Sequence, residues 1–289
     1  MSAAGTFDGV RAPAVAGRFY PRDPKELREQ VTELLESPEV PAGPVPKALI
    51  VPHAGYVFSG PIAASAYARL RAAREVVKRI VLVGPSHFVE FRGLAGSSAE
   101  AFATPLGNVP VDREAGRKLS ALPQVRCLDE AHRYEHSLEV QLPFLQVVLG
   151  DFELVPLVAG EAEAEEVAGV LEALWGGPET RVIVSSDLSH YLDPESARAL
   201  DRATANAIEA LDPEAVREGQ ACGRVPVRGL LRAAADHGLR AETVDLRNSG
   251  DTGGPRSQVV GYGAFAFWEA KGCLNEVERE NRSGVVARS

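Results

Sequence analysis

Apolar residues fall into two patterns along this chain. Short unbroken runs, rich in β-branched residues, occur at Ala48-Leu49-Ile50-Val51, Arg79-Ile80-Val81-Leu82-Val83 and Arg181-Val182-Ile183-Val184. Runs this short, alternating with helical patterns, predict buried strands of a largely parallel sheet. A last strand is predicted over residues 259–268. Elsewhere the apolar spacing becomes helical. Leu27, Val31, Leu34 and Leu35 form one stripe, preceded by Asp23 as N-cap, Pro24 at the first helical position and Glu26 at the capping-box position. Further helices are predicted over residues 61–74, 135–148, 162–175 and 193–211, and from Pro226 to before Gly238. The Pro-rich stretch 38–46 is too short for a domain linker and reads as a stiff loop.

No internal repeat or low-complexity tract divides the chain, so residues 1–289 are expected to form one domain, with loose termini at 1–12 and 270–289. The balance of 31 Lys and Arg against 40 Asp and Glu gives a net charge of −9, which argues against direct nucleic-acid binding. The first residues lack the apolar core of a signal peptide, and no window approaches the roughly 20 apolar residues of a membrane span. Cys127, Cys222 and Cys273 are odd in number and far apart, the pattern of reduced thiols. A cytoplasmic protein with no membrane contact is expected.

His53, His87 and His190 each follow a predicted strand. In open α/β sheets, ligand groups gather at the carboxyl ends of the strands, so these three are candidates for one cleft. A single such His is more often a loop hydrogen-bonder; three at equivalent places point to a shared site. Imidazole suits Fe, Zn, Cu or Ni. Asp187, three residues before His190, can serve as an anionic ligand or fix a histidine tautomer. Cys222 precedes a helix, where the dipole favours a thiolate; Cys127 and Cys273 have no comparable setting. His132-Arg133-Tyr134-Glu135-His136 spells H-x-x-E-H, an inverted zinc-protease signature, but Pro143 argues against one long helix there. His136 and Glu139 can instead line the cleft of the strand-end histidines. No phosphate loop, nucleophile elbow or dinucleotide fingerprint is present.

Several motifs, in order, resemble those of the Memo family: Ala16-Gly17-Arg18-Phe19-Tyr20-Pro21, Val51-Pro52-His53-Ala54-Gly55-Tyr56 through Ser59-Gly60, and Gly84-Pro85-Ser86-His87. Glu135-His136-Ser137-Leu138-Glu139, Ser186-Asp187-Leu188-Ser189-His190-Tyr191, Cys222-Gly223-Arg224 and Val259-Val260-Gly261-Tyr262-Gly263 complete the set. The bacterial and archaeal members are labelled AmmeMemoRadiSam system protein B. The resemblance implies a three-layer α/β/α fold with a central, mostly parallel mixed sheet, similar to class III extradiol dioxygenase catalytic subunits. It places metal ligands at His53, His87 and Cys222 and catalytic or cleft groups at His190 and Asp187; Ser86 and Tyr56 join His136 and Glu139 as further cleft candidates. Fe(II) is the cofactor implied first, with Cu or Zn as alternatives. Cys222 stands where the extradiol enzymes have a Glu, which argues against simple ring cleavage. The resemblance also implies a radical-SAM partner and a small companion-domain partner. The expected function is metal-dependent redox or oxygen chemistry on a small substrate. The alternatives are a non-catalytic peptide- or partner-binding module, and a zinc hydrolase using His132 and His136.

Overall fold

The computed structural model describes residue 7, residues 9–41 and residues 43–269. Its strands are β1 (Val10–Arg11), β2 (Ala48–Val51), β3 (Arg79–Pro85), β4 (Leu94–Gly96), β5 (Ala101–Thr104) and β6 (Gly107–Pro110). They continue with β7 (Val125–Cys127), β8 (Glu153–Ala159), β9 (Thr180–Ser185), β10 (His190–Leu192), β11 (Leu239–Asn248) and β12 (Val259–Glu269). The helices are α1 (Pro24–Glu36), α2 (Tyr56–Tyr67), α3 (Arg113–Leu119), α4 (Asp129–Arg133), α5 (Leu142–Leu149), α6 (Ala164–Leu174), α7 (Pro194–Glu209), α8 (Arg224–Asp236) and α9 (Ser249–Thr252).

The four strands expected from apolar runs lie side by side at the heart of one nine-stranded mixed sheet, ordered β10-β12-β2-β9-β3-β8-β4-β7, with β11 also on β12. β2, β9, β3 and β8 run parallel; β12 is antiparallel to β2, β10 and β11, and β4 is antiparallel to β8 but parallel to β7. Alternation along the strands builds two cores, because successive side chains point to opposite faces. Leu49, Val51, Ile80 and Leu82 pack with α1, α2 and α5 on one face. Ala48, Ile50, Val81, Val83, Val182 and Val184 pack with α6, α7 and α8 on the other. The fold is therefore α/β with a mixed sheet and helices on both sides, as expected.

Several elements differ from expectation. β8 is an additional central strand, with Pro156 inside it. Along β8, β4 pairs only with Val158 and Ala159, so at Pro156 that edge of β8 has no β4 ladder to interrupt. α2 begins at Tyr56 and accommodates Pro61, because burial of most of its length outweighs the local penalty; a 3₁₀ turn follows over Ala68–Ala73. The helix expected over 135–148 is broken: Glu135–Leu138 is irregular, and Pro143 sits in the first turn of α5. At the amino end, Val10 and Arg11 are not loose. They pair with Ala101 and Phe102 in a small β1-β5-β6 sheet, and Arg11 is buried against Glu139. The expectations for residues 1–6, residue 8, Cys273 and the 270–289 terminus lie outside the described residues.

Candidate metal centre

His53 follows β2 and His87 follows β3, both at the carboxyl end of the parallel strands. The loop after β2 is tied to the loop after β9: the Asp187 carboxylate accepts the His53 backbone N–H at 2.7 Å, and Ser186 N–H donates to Val51 O at 2.9 Å. His136 arrives from the irregular Glu135–Leu138 segment. One ring nitrogen from each of His53, His87 and His136 lies within 4.8 Å of the others. The rings of His87 and His136 stack at 4.7 Å, and His53 meets both edge-on at 5.2 and 5.5 Å.

Glu135 organises this cluster. Its carboxylate accepts the His87 backbone N–H at 2.7 Å, the His87 Nδ1–H at 2.8 Å and the Ser137 N–H at 2.8 Å. Burial would raise its pKa, but these bonds and the imidazole hold it down to about 2. Burial likewise opposes protonation of His87, yet Glu135 raises the pKa of that ring. Because Glu135 only accepts, Nδ1 keeps its proton and Nε2 is the free ring nitrogen. This is the carboxylate–histidine arrangement that orients a metal ligand. His53 is lowered to about 3, first by burial and then by His87; His136 is lowered to about 4, first by burial and then by His53. Both are neutral at neutral pH, the state a ligand needs. Three convergent imidazoles, one already oriented by a buried carboxylate, fit a first-row transition metal.

Cys222 stands beside the cluster, with Sγ 3.3 Å from His53 Nε2 and 3.3 Å from the Asp187 N–H that donates to it. Burial, and then Asp187, push the thiol up to about 12. The adjoining Gly223 has a steric reason: a Cβ there would lie 2.6 Å from Ser186 Cβ and 2.8 Å from Ser185 O. A cavity of about 570 Å³ opens beside Cys222 and Ser86, with Arg224 and Val225 on its wall. Ser86 itself donates its hydroxyl to Val89 O at 2.6 Å.

The chain belongs to the Memo family. A family model described as Memo-like protein matches residues 11–266. A MEMO1 family protein of Aquifex aeolicus is 39% identical over 269 residues, covering 89% of this chain and 99% of its own. One from Methanococcoides burtonii is 40% identical over 273 residues, with 89% and 99% coverage. A solved structure of an uncharacterized Escherichia coli K12 protein covers 74% of this chain and 98% of its own at 17% identity, with a TM-score of 0.49.

The residues that the Memo motifs suggested do not all share one environment. His190 is exposed at the start of β10, and its Nδ1–H is held by Leu188 O at 2.8 Å rather than by Asp187. Asp187 is buried, and burial raises its pKa against the pull of the His53 N–H. Glu139 lies wholly inside the protein, ion-paired to Arg11 and accepting Ala14 N–H, Val15 N–H and the Tyr20 hydroxyl; it is a structural anchor, not a cleft residue. Tyr56 is also core: its hydroxyl donates to Val140 O at 2.7 Å and its ring packs on Phe144. The zinc-hydrolase reading fails on geometry. α4 ends at Arg133, so His132 and His136 share no helix face, and His132 Nε2 is 3.0 Å from Ala95 O with its ring on Phe102. Glu135, part of that signature in the sequence, instead holds His87. The signal was present in Glu135-His136-Ser137, but only the fold shows which histidine the carboxylate meets.

Proposed function

We propose that this Memo-family chain is a mononuclear metal protein, with iron as its physiological metal, acting in redox or oxygen chemistry on a small substrate. His53 and His87 would hold the ion, and Cys222 would supply the anionic donor. His136 is the neighbouring imidazole that completes the cluster. The observation carrying this reading is the convergence of three imidazoles at the carboxyl edge of the parallel strands, with His87 fixed by buried Glu135. Two His with one anionic donor, facing open positions, is a ligand set suited to Fe(II), and a likeness to extradiol dioxygenases in fold belongs to the same proposal.

A bound ion of this kind supplies Lewis acidity and an electron-transfer centre. The chain's own residues do the rest. Glu135 sets the ring of His87, Asp187 locks the loop that carries His53, and the cavity beside Cys222 admits substrate. His190 is exposed, and with its Nδ1 engaged by Leu188 O its Nε2 would be the group that exchanges a proton with substrate. The test is elemental analysis of protein purified without oxygen, beside His87→Ala and Cys222→Ala. The expected result is close to one iron per chain, lost in both variants. Sub-stoichiometric metal that neither variant changes would overturn the reading in favour of a partner-binding module.

A further inference from the structure

Tyr67, Gln141 and Ser185 lie fully buried in a single polar chain that ends on His53. Tyr67 lies on α2, Gln141 in the turn before α5, Ser185 at the end of β9, and His53 after β2. The Tyr67 hydroxyl donates to Gln141 Oε1 at 2.9 Å. Gln141 Nε2 donates to Pro52 O at 3.0 Å and to Ser185 Oγ at 2.8 Å. Ser185 Oγ donates to Ser137 O at 2.6 Å and lies 2.9 Å from His53 Nδ1.

The donors and acceptors leave one consistent assignment. Pro52 O only accepts, so the Gln141 amide nitrogen must face it, and the Tyr67 bond to the amide oxygen agrees. Ser185 has one proton. Ser137 O can only accept, so that proton goes there. The amide of Gln141 brings its own proton to Ser185 Oγ, so His53 Nδ1 must bring one as well. With the other tautomer, either Ser137 O or His53 Nδ1 would lack a proton in a site closed to water. Leaving such a buried group unpaired is disfavoured by about tenfold or more.

We propose that Ser185, oriented by Gln141, is a positioning residue that fixes His53 as its Nδ1–H tautomer. His53 Nε2 is then a lone pair turned to Cys222, whose Sγ lies 3.3 Å away. The inference rests on the metal-site reading for its purpose but not for its test. His87 is set by a carboxylate and His53 by a neutral hydroxyl, so the two imidazoles are oriented by different chemistry.

The experiment is nitrogen NMR of the metal-free protein labelled at histidine, with His53 assigned by His53→Gln. The expected spectrum shows His53 with a protonated Nδ1 and an unprotonated Nε2. Ser185→Ala should convert this to a mixture of tautomers and weaken Co²⁺ binding, read by its absorption bands, by about 10- to 100-fold. Ser185→Thr, which keeps the hydroxyl, should restore the wild-type pattern. Tyr67→Phe removes only a remote hydroxyl; it should lower thermal stability while leaving the tautomer unchanged. A wild-type His53 protonated on Nε2, or a Ser185→Ala spectrum identical to wild type, would overturn the proposal. Wild-type protein that shows the Nδ1–H tautomer but binds no Co²⁺ would sink the metal reading and leave this one standing.

Discussion

Replacing Glu139 by Gln tests the distinction between anchor and cleft at the residue where sequence and structure disagree most. Four donors converge on this buried carboxylate. Oε2 accepts Arg11 Nη1 and Ala14 N–H at 2.7 Å; Oε1 accepts Val15 N–H at 2.9 Å and the Tyr20 hydroxyl at 2.6 Å. Glutamine keeps one oxygen and turns an NH₂ toward two donors, whichever way it is flipped. It also leaves the Arg11 guanidinium buried without a counter-charge. Breaking one partner of a buried ion pair costs about 3–5 kcal/mol. Against a total stability of about 5–15 kcal/mol this is a large share, and at roughly 2–4 °C per kcal/mol for a chain near this size the melting temperature should fall by about 6–20 °C. The assay is urea unfolding followed by tryptophan fluorescence and circular dichroism, with the slope checked for change. Co²⁺ binding by the folded variant should match wild type, because Glu139 is not in the cluster. A stability loss under about 1 kcal/mol, or a selective loss of metal binding, would refute the assignment of Glu139 as an anchor.

The remaining predictions concern pH, ligand orientation and close packing. His132 is lowered from 6.5 to about 4, chiefly by burial, so its neutral form belongs to the folded state. Its contribution is therefore intact above pH 6.5 and is lost as pH falls toward 4, by about 3 kcal/mol in all. His132→Leu should flatten the stability profile across that window, and a difference curve against wild type without slope there would contradict the burial argument. Glu135→Gln cannot accept all three N–H bonds of the carboxylate, and should weaken Co²⁺ binding by about 10- to 100-fold; unchanged affinity in a titration would remove Glu135 from the site. Gly261→Ala places a methyl against the Asp201 carboxylate that accepts the Ser189 N–H at 3.0 Å. It should destabilise by about 1–3 kcal/mol, with a smaller penalty in an Asp201→Ala background; equal penalties in the two backgrounds would show the clash lies elsewhere.

How much of this was legible in advance differs by element. The runs at 48–51, 79–83 and 181–184 and the segment at 259–268 declared themselves because strands buried on both faces need unbroken apolar, β-branched side chains. α1 declared itself through Asp23, Pro24 and its Leu27–Val31–Leu35 stripe, and the structure places the Asp23 carboxylate on the Lys25 and Glu26 N–H groups. β8 was hidden by Pro156, whose effect depends on which neighbouring strand is present beside it. Glu135 and Glu139, four residues apart, could not be told apart in sequence. One meets His87 and the other meets Arg11, from segments 48 and 128 positions away along the chain.

The sequence by itself therefore determined four adjacent strands of the sheet, the α1 helix and the family, because local burial patterns and ordered motifs are properties of neighbouring residues. It also determined that His53 and His87 stand at the carboxyl ends of parallel strands, since strand ends are local features. Only the tertiary structure decided that His136 joins them, that Cys222 lies against His53, and that Glu139 and Tyr56 belong to the core. Those assignments depend on which side chains meet across long stretches of chain. Ring orientation and charge state depend on the same meetings: a carboxylate sets His87, and a single serine proton, already given to Ser137 O, sets His53.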